Sequence, residues 1–242
     1  LNRETEICVV VPTYNNAGTV ADVVQRVLAF TENVIVVNDG STDDTLSRLE
    51  GLPITLVSYF ANKGKGGALR EGLSKARALG FTTAVTIDSD GQHFPEDLPM
   101  FFDEIGKNPG ALIIGSRNLN ADGMPAGNTF ANKFSNFWFR LQTLRSLPDT
   151  QTGYRAYPLA KLPNLRLLTA RYESELELLV LSAWKGVELV PVSIRVVYPE
   201  NRVTHFHPVK DFTRISLLNT VLCLLALVYG YPRMALNELF GI

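Results

Sequence analysis

The sequence predicts an α/β fold: a central, mostly parallel β-sheet with helices packed on both faces. Two observations carry that prediction. Short β-branched runs alternate with stretches of helical periodicity through the first half of the chain, which is the βαβ order of parallel sheets. Those runs are also apolar almost throughout, as strands covered on both faces must be. The bulk properties agree, since 242 residues with 46% hydrophobic and 19% charged side chains can bury one α/β core and are not a disordered chain.

In chain order, Ile7 to Pro12, Asn33 to Asn38, Ile54 to Tyr59, Thr83 to Ile87 and Ala111 to Ser116 read as buried strands, each short and closed by polar residues or glycine. Between them, Val20, Val23, Val24, Val27 and Leu28 fall at the i, i+3, i+4, i+7 spacing of a helix face, and Leu69, Leu73 and Ala76 repeat it more weakly. Beyond Ser116 a loop rich in Gly and Asn leads to a helix from about Phe130 to Leu144. A strand at Thr152 to Tyr157, a helix near Glu173 to Trp184 and a strand at Val187 to Val197 follow. Pro199 to Pro208 is a polar connection to the apolar tail Phe212 to Tyr229. Arg214, Ser216, Asn219 and Thr220 interrupt that tail, so the preferred reading is a helix in the membrane interface rather than a clean span of ~20 apolar residues. A helix packed on the catalytic part, or on a second copy in a homo-oligomer, is the other reading.

Charge limits the function classes. The formal net charge of −1 provides no broad basic field for nucleic acid, yet between Ala126 and Arg171 the only acid is Asp149 against seven bases, so that half is expected to face anions. Two cysteines in apolar runs, Cys8 and Cys223, suit a reducing compartment rather than a disulfide.

In open α/β sheets, ligands gather beyond the carboxyl ends of the strands, which directs attention to four polar segments. The sharpest is Asp88-Ser89-Asp90-Gly91-Gln92-His93. If the chain stays extended past Ile87, Asp88 and Asp90 point the same way. Paired carboxylates then call for a hard divalent cation, Mg2+ or Mn2+, with Gln92 adding a neutral oxygen. Asn62 to Gly67 opens a helix with glycines and lysines, so Gly64 and Lys65 are candidates to meet phosphate, with tight helix packing as the alternative. Arg117 follows the next strand, where a guanidinium would stabilise a departing diphosphate.

The ordered set VPTYNN, VNDGSTDDT, NKGKGGALREG, IDSDGQH, GSR, DTQTGYRAY and YESELELL followed by VELVPV resembles the family 2 glycosyltransferases of GT-A fold, in particular the dolichol-phosphate mannose synthase-like branch. The resemblance covers about Ile7 to Tyr198. It implies a catalytic domain over 1–198, with a nucleotide-sugar half at 1–117 and an acceptor half at 118–198, and an acceptor loop with a membrane-associating tail over 199–242. It also implies that Pro12, Tyr14, Asn16 and Asp39 line the base and ribose pocket, that Asp88, Asp90 and Gln92 handle metal and diphosphate, and that Arg117 contacts the donor phosphates. Two departures stand out: Asn16 and Asn38 replace common acids, and Asn201 to Pro208 replaces a Gly-x-Ser-Lys segment.

The implied reaction is inverting transfer of a hexose from GDP-mannose or a UDP-sugar to polyprenyl phosphate at the cytoplasmic face of a membrane. Lys133, Arg155, Arg202, His205 and His207 are then candidate contacts to an anionic acceptor. A hydroxyl on a glycolipid or other lipid-linked acceptor would need a general base, for which Asp149 is the candidate. Two rivals remain: a nucleotidyltransferase, which lacks its expected loop where PTYNN stands, and a non-catalytic membrane-anchoring module.

Overall fold

Every residue of β1 (Ile7–Thr13) except Pro12 is buried, and the strand's alternation divides the core. Cys8 and Val10 face one apolar cluster while Val9 and Val11 face the other, as a strand covered on both sides requires. In the computed structural model, which describes residues 6–117, 126–162, 167–197 and 208–240, β1 pairs in parallel with β2 (Val34–Asp39) and β4 (Thr83–Thr86). β3 (Thr55–Tyr59) lies outside β2. β5 (Leu112–Arg117), β6 (Arg155–Pro158) and β7 (Leu189–Ile194) complete a seven-stranded sheet of order β3-β2-β1-β4-β6-β5-β7. Among the described residues β6 is the strand that runs antiparallel to its neighbours, so the sheet is mixed but mostly parallel.

Helices α1 (Val20–Leu28) and α3 (Leu98–Lys107) cover one face, burying Val20, Val23, Val24, Val27, Leu98 and Phe101. On the other face lie α2 (Lys65–Ala78), α4 (Ala126–Thr143), α5 (Glu173–Trp184) and α6 (Pro208–Leu225). Helix α2 lies directly on the sheet: a Cβ at Gly72 would sit 2.4 Å from Val10 Cγ1 and 3.1 Å from Val37 Cγ2. Gly72→Leu should therefore overpack that contact and cost about 1–3 kcal/mol, read as a lower urea midpoint with unchanged slope.

After α6 the chain passes through a π-helical turn, Ala226–Gly230, into α7 (Tyr231–Phe240). Asp211–Phe240 forms one stretch of 30 residues, within which an 18-residue window reaches a mean hydropathy of 1.7, long and apolar enough to cross a membrane by length and composition. Its two sides differ. Leu218, Leu222 and Ala226 are buried in the same core as α5, Gly230 lies against the Trp184 indole, which a Cβ there would meet at 2.5 Å, and Asn237 Nδ2 donates to Trp184 O at 3.0 Å. Leu217, Leu224, Leu227, Val228, Leu239 and Phe240 face outward and are exposed. The tail thus packs on the α/β core along one side, as in the alternative reading, and leaves the other side apolar and open.

Candidate active site

A cavity of about 450 Å³ lies beyond the carboxyl ends of β1, β2 and β4, within the range of a small-molecule site. Of the expected nucleotide contacts, Pro12, Tyr14, Asn16, Asp39, Gly64, Lys65 and Asp88 all line it, as do Asp90, Gln92 and Arg117. The loops that carry them are tied to one another. Asn15 adopts a positive φ of 50°, which Asn tolerates better than most residues. Its backbone N–H donates to Ser41 Oγ at 2.9 Å, while its side-chain oxygen accepts from Thr42 N at 2.8 Å. Asn16 Nδ2 donates to Ser89 Oγ at 2.8 Å, linking the β1 loop to the β4 loop. Asp39 accepts from Lys63 N at 2.7 Å, and burial raises its pKa above the ordinary carboxylate value despite that bond.

β4 ends at Thr86 and the backbone turns at Ser89–Asp90, so strand alternation is not what brings the two aspartates together. The turn does, and both line the same cavity. The cation beside Asp88 is a side chain of the protein itself: Lys65 Nζ lies 2.9 Å and 3.0 Å from its two carboxylate oxygens and 3.1 Å from Glu175 Oε2. Burial works against ionising Asp88, but the groups around it, Lys65 first among them, together hold the carboxyl below its usual range. Burial likewise opposes the charge on Lys65, and Asp88 and Glu175 together keep it protonated. Gly153 seals this ion cluster, since a Cβ there would lie 2.7 Å from Asp88 Oδ2 and 2.9 Å from Lys65 Nζ.

For a divalent cation the fit is therefore uneven. Among the described residues no three His, Cys, Asp or Glu side chains form a closed metal cage. Asp90, whose Oδ1 accepts from Gln92 N at 3.0 Å, and Gln92 instead line the open cavity. That donor set suits a hard ion completed by substrate phosphates, with Asp90 as its carboxylate and Asp88 committed to Lys65.

The glycine-rich start of α2 serves packing more than phosphate. A Cβ at Gly64 would lie 2.7 Å from Ala170 O and one at Gly66 would lie 2.1 Å from Ser174 Oγ. Gly67 N–H donates to Ala170 O at 3.2 Å. The chain entering α5 thus crowds this turn and takes the Gly67 amide that an anion would otherwise meet.

Arg117 is held by a two-pronged ion pair, with its Nε 2.6 Å from Asp149 Oδ2 and its Nη2 3.0 Å from Oδ1. Asn132 Nδ2 adds a bond to Oδ1 at 2.6 Å. Asp149 is fully buried; burial opposes its charge, but the bonds from Arg117 lower its pKa below the ordinary value. This corrects its assignment as general base: a carboxylate enclosed by N–H donors of Arg117, Asn132 and Gln151 orients Arg117 instead. Arg155 is corrected too. Its side chain is 0% exposed, and Nε, Nη1 and Nη2 donate to the carbonyls of Thr152, Glu175 and Thr150 at 2.8, 2.7 and 2.9 Å, so it braces the cavity wall from behind. Lys133 is exposed on α4 and is not among the cavity-lining residues. Arg202, His205 and His207 lie outside the described residues.

Sequence reasoning left several groups unassigned. Glu175 pairs with Lys65, whereas Glu177 accepts from Leu168 N at 2.6 Å and from Thr169 N at 3.0 Å, fixing the segment before α5. His93 lines the cavity; burial pushes its pKa down to about 4, so the imidazole is neutral near pH 7. The i, i+2 spacing of Glu173, Glu175 and Glu177 was a visible signal, but spacing does not say which acid meets which base.

The family model described as glycosyl transferase family 2 matches residues 8–157. The UDP-N-acetylglucosamine--dolichyl-phosphate N-acetylglucosaminyltransferase of Methanococcus voltae is 30% identical over 217 residues, covering 80% of this chain and 86% of that protein. The polyprenol monophosphomannose synthase of Mycolicibacterium smegmatis is 29% identical over 161 residues, covering 62% and 60%. Among solved structures, glucosyl-3-phosphoglycerate synthase from Mycobacterium tuberculosis, in complex with Mn2+, uridine-diphosphate-glucose and phosphoglyceric acid, superposes with a TM-score of 0.63 at 21% identity, covering 91% of this chain and 79% of that one. That likeness bears out the GT-A fold, and the sequence matches bear out the resemblance carried by the ordered motifs.

Proposed function

The chain belongs to glycosyl transferase family 2, and on that premise we propose that it transfers a hexose, with inversion, from a nucleoside diphosphate donor to the phosphate of a polyprenyl phosphate at the cytoplasmic face of a membrane. One observation carries the choice of acceptor. The wall of the cavity opposite the sheet includes Ala131 and Ser135 of α4 and Ile215 of α6, and the same two helices expose Phe130, Phe137, Leu141, Phe212 and Leu217. Phe134 and Phe212 meet between them as a tilted pair with ring centroids 5.4 Å apart. A lipid-borne acceptor would meet apolar helices where its phosphate meets the site.

In this reading the base and ribose lie near Pro12, Tyr14 and Asp39, and the diphosphate lies between Asp90 with Gln92 and Arg117. Asp90 and Gln92 would hold Mg2+ or Mn2+, which when bound neutralises charge on the leaving diphosphate. Arg117, fixed by Asp149, keeps its guanidinium toward the cavity for the same oxygens. Lys65 holds Asp88 ionised and keeps the wall rigid. A phosphate monoester has a second pKa of roughly 6, so the acceptor oxygen is already largely ionised near pH 7 and needs no base, consistent with Asp149 being engaged elsewhere.

The test is to offer labelled UDP-N-acetylglucosamine, UDP-glucose and GDP-mannose with polyprenyl phosphate or with the unphosphorylated polyprenol. Label should enter lipid only when the phosphate is present, and mild acid should release it. Equal labelling of polyprenol would replace this reading with a hydroxyl acceptor.

The tail gives a second expectation. Replacing outward-facing Leu224 and Leu227 with Glu should sharply reduce co-sedimentation with anionic vesicles while leaving the melting temperature unchanged, because both side chains are exposed. Undiminished vesicle binding would remove this face from the membrane.

A further inference from the structure

We propose that Glu173 is a specificity-determining residue that accepts hydrogen bonds from hydroxyl groups of the donor hexose; this rests on the reading of the cavity as a nucleotide-sugar site. Glu173 stands in the first turn of α5, is 6% exposed and lines the cavity. Its Oε2 is buried and has no hydrogen-bond partner among the described residues. Its neighbours along the helix are satisfied differently, Glu175 by Lys65 at 3.1 Å and Glu177 by the Leu168 and Thr169 amides. Leaving a carboxylate oxygen buried and unpaired is costly, and the group a ligand supplies to such an oxygen must be a hydrogen-bond donor.

Position decides which donor. Pro12, Tyr14 and Asp39 come from β1 and β2, the Asp88–Gln92 turn from β4, and Glu173 from the helix behind that turn; all of them line one cavity. A nucleotide anchored at the first set, with its diphosphate at the second, carries its sugar toward the third. Diphosphate and phosphate oxygens would be repelled by Glu173, whereas sugar hydroxyls are the donors that such a ligand brings. A carboxylate oxygen aimed at one or two hydroxyls favours the epimer that presents them, because the wrong epimer leaves the buried oxygen unpaired.

Calorimetric binding of UDP, UDP-glucose and UDP-N-acetylglucosamine, and of GDP and GDP-mannose, to the full chain tests this. For the donor that binds wild-type protein, Glu173→Ala should weaken the nucleotide sugar by about tenfold or more while the matching nucleoside diphosphate binds as before. Glu173→Gln, which keeps a carbonyl acceptor, should lie between, and both variants should narrow the preference among hexoses. Equal weakening of the nucleotide and its sugar would overturn the proposal by showing that Glu173 only shapes the fold. Unchanged binding of both, with turnover reduced and its pH profile altered, would overturn it in favour of a base acting on a hydroxyl acceptor. If wild-type protein binds no nucleotide, the proposed function falls first and this inference with it.

Discussion

Asp90→Ala should lower turnover by on the order of 10²- to 10³-fold, the scale of losing one group that stabilises developing charge, with the melting temperature close to that of wild type. The prediction is large in activity and small in stability because of where the residue stands. Asp90 is half-buried in the turn after β4 and lines the cavity, while the buried ion cluster behind it is made by Asp88, Lys65 and Glu175. Asp90→Asn separates the two contributions, since an amide oxygen can still accept from Gln92 N but carries no charge. Initial rates across a Mn2+ titration should show both variants impaired and the Asn variant demanding more metal. Turnover equal to wild type at every Mn2+ concentration would remove Asp90 from the reaction.

Asp149→Ala should be damaging in a different way, costing about 3–5 kcal/mol of stability, the usual penalty for breaking a buried ion pair from one side. It would take the ion pair from Arg117, which is 13% exposed at the side chain, and the 2.6 Å bond from Asn132. Activity should fall together with stability, because Arg117 loses the partner that fixes its orientation. The pH dependence follows from the depressed pKa of Asp149. A carboxyl that ionises more readily folded than unfolded adds stability above its ordinary value of 3.8, and that stability is lost as pH falls through the lower folded value. Asp149→Asn should flatten this acid limb in urea titrations at successive pH values. A variant whose acid limb matches wild type would show that the pair contributes nothing there.

Much of the fold was legible because its signals are local. The apolar runs of β1, β2 and β3 lie within a residue or so of their expected bounds, and α5 spans Glu173–Trp184 as expected. Helix α3 was not among the expected elements, although Leu98, Phe101, Phe102 and Ile105 keep helical spacing; the Pro95 turn before it and Pro99 within its first turn obscure the start. The motifs located the cavity, yet the pairings inside it were not readable. Lys65 meets Asp88 across 23 positions of sequence and Arg117 meets Asp149 across 32, and residue type alone does not tell a base that faces a ligand from one that is enclosed. Arg155 shows that gap, because its charge made it a candidate contact to an anionic acceptor while three backbone carbonyls hold it in the core.

The most direct measurement of the central claim is a crystal of the protein grown with Mn2+ and the nucleotide sugar it binds, with data collected at the manganese absorption edge. An anomalous peak at coordination distance from an Asp90 oxygen, with diphosphate density between it and the Arg117 guanidinium, is the expected result. Manganese and diphosphate bound away from Asp90 and Arg117 would contradict the account.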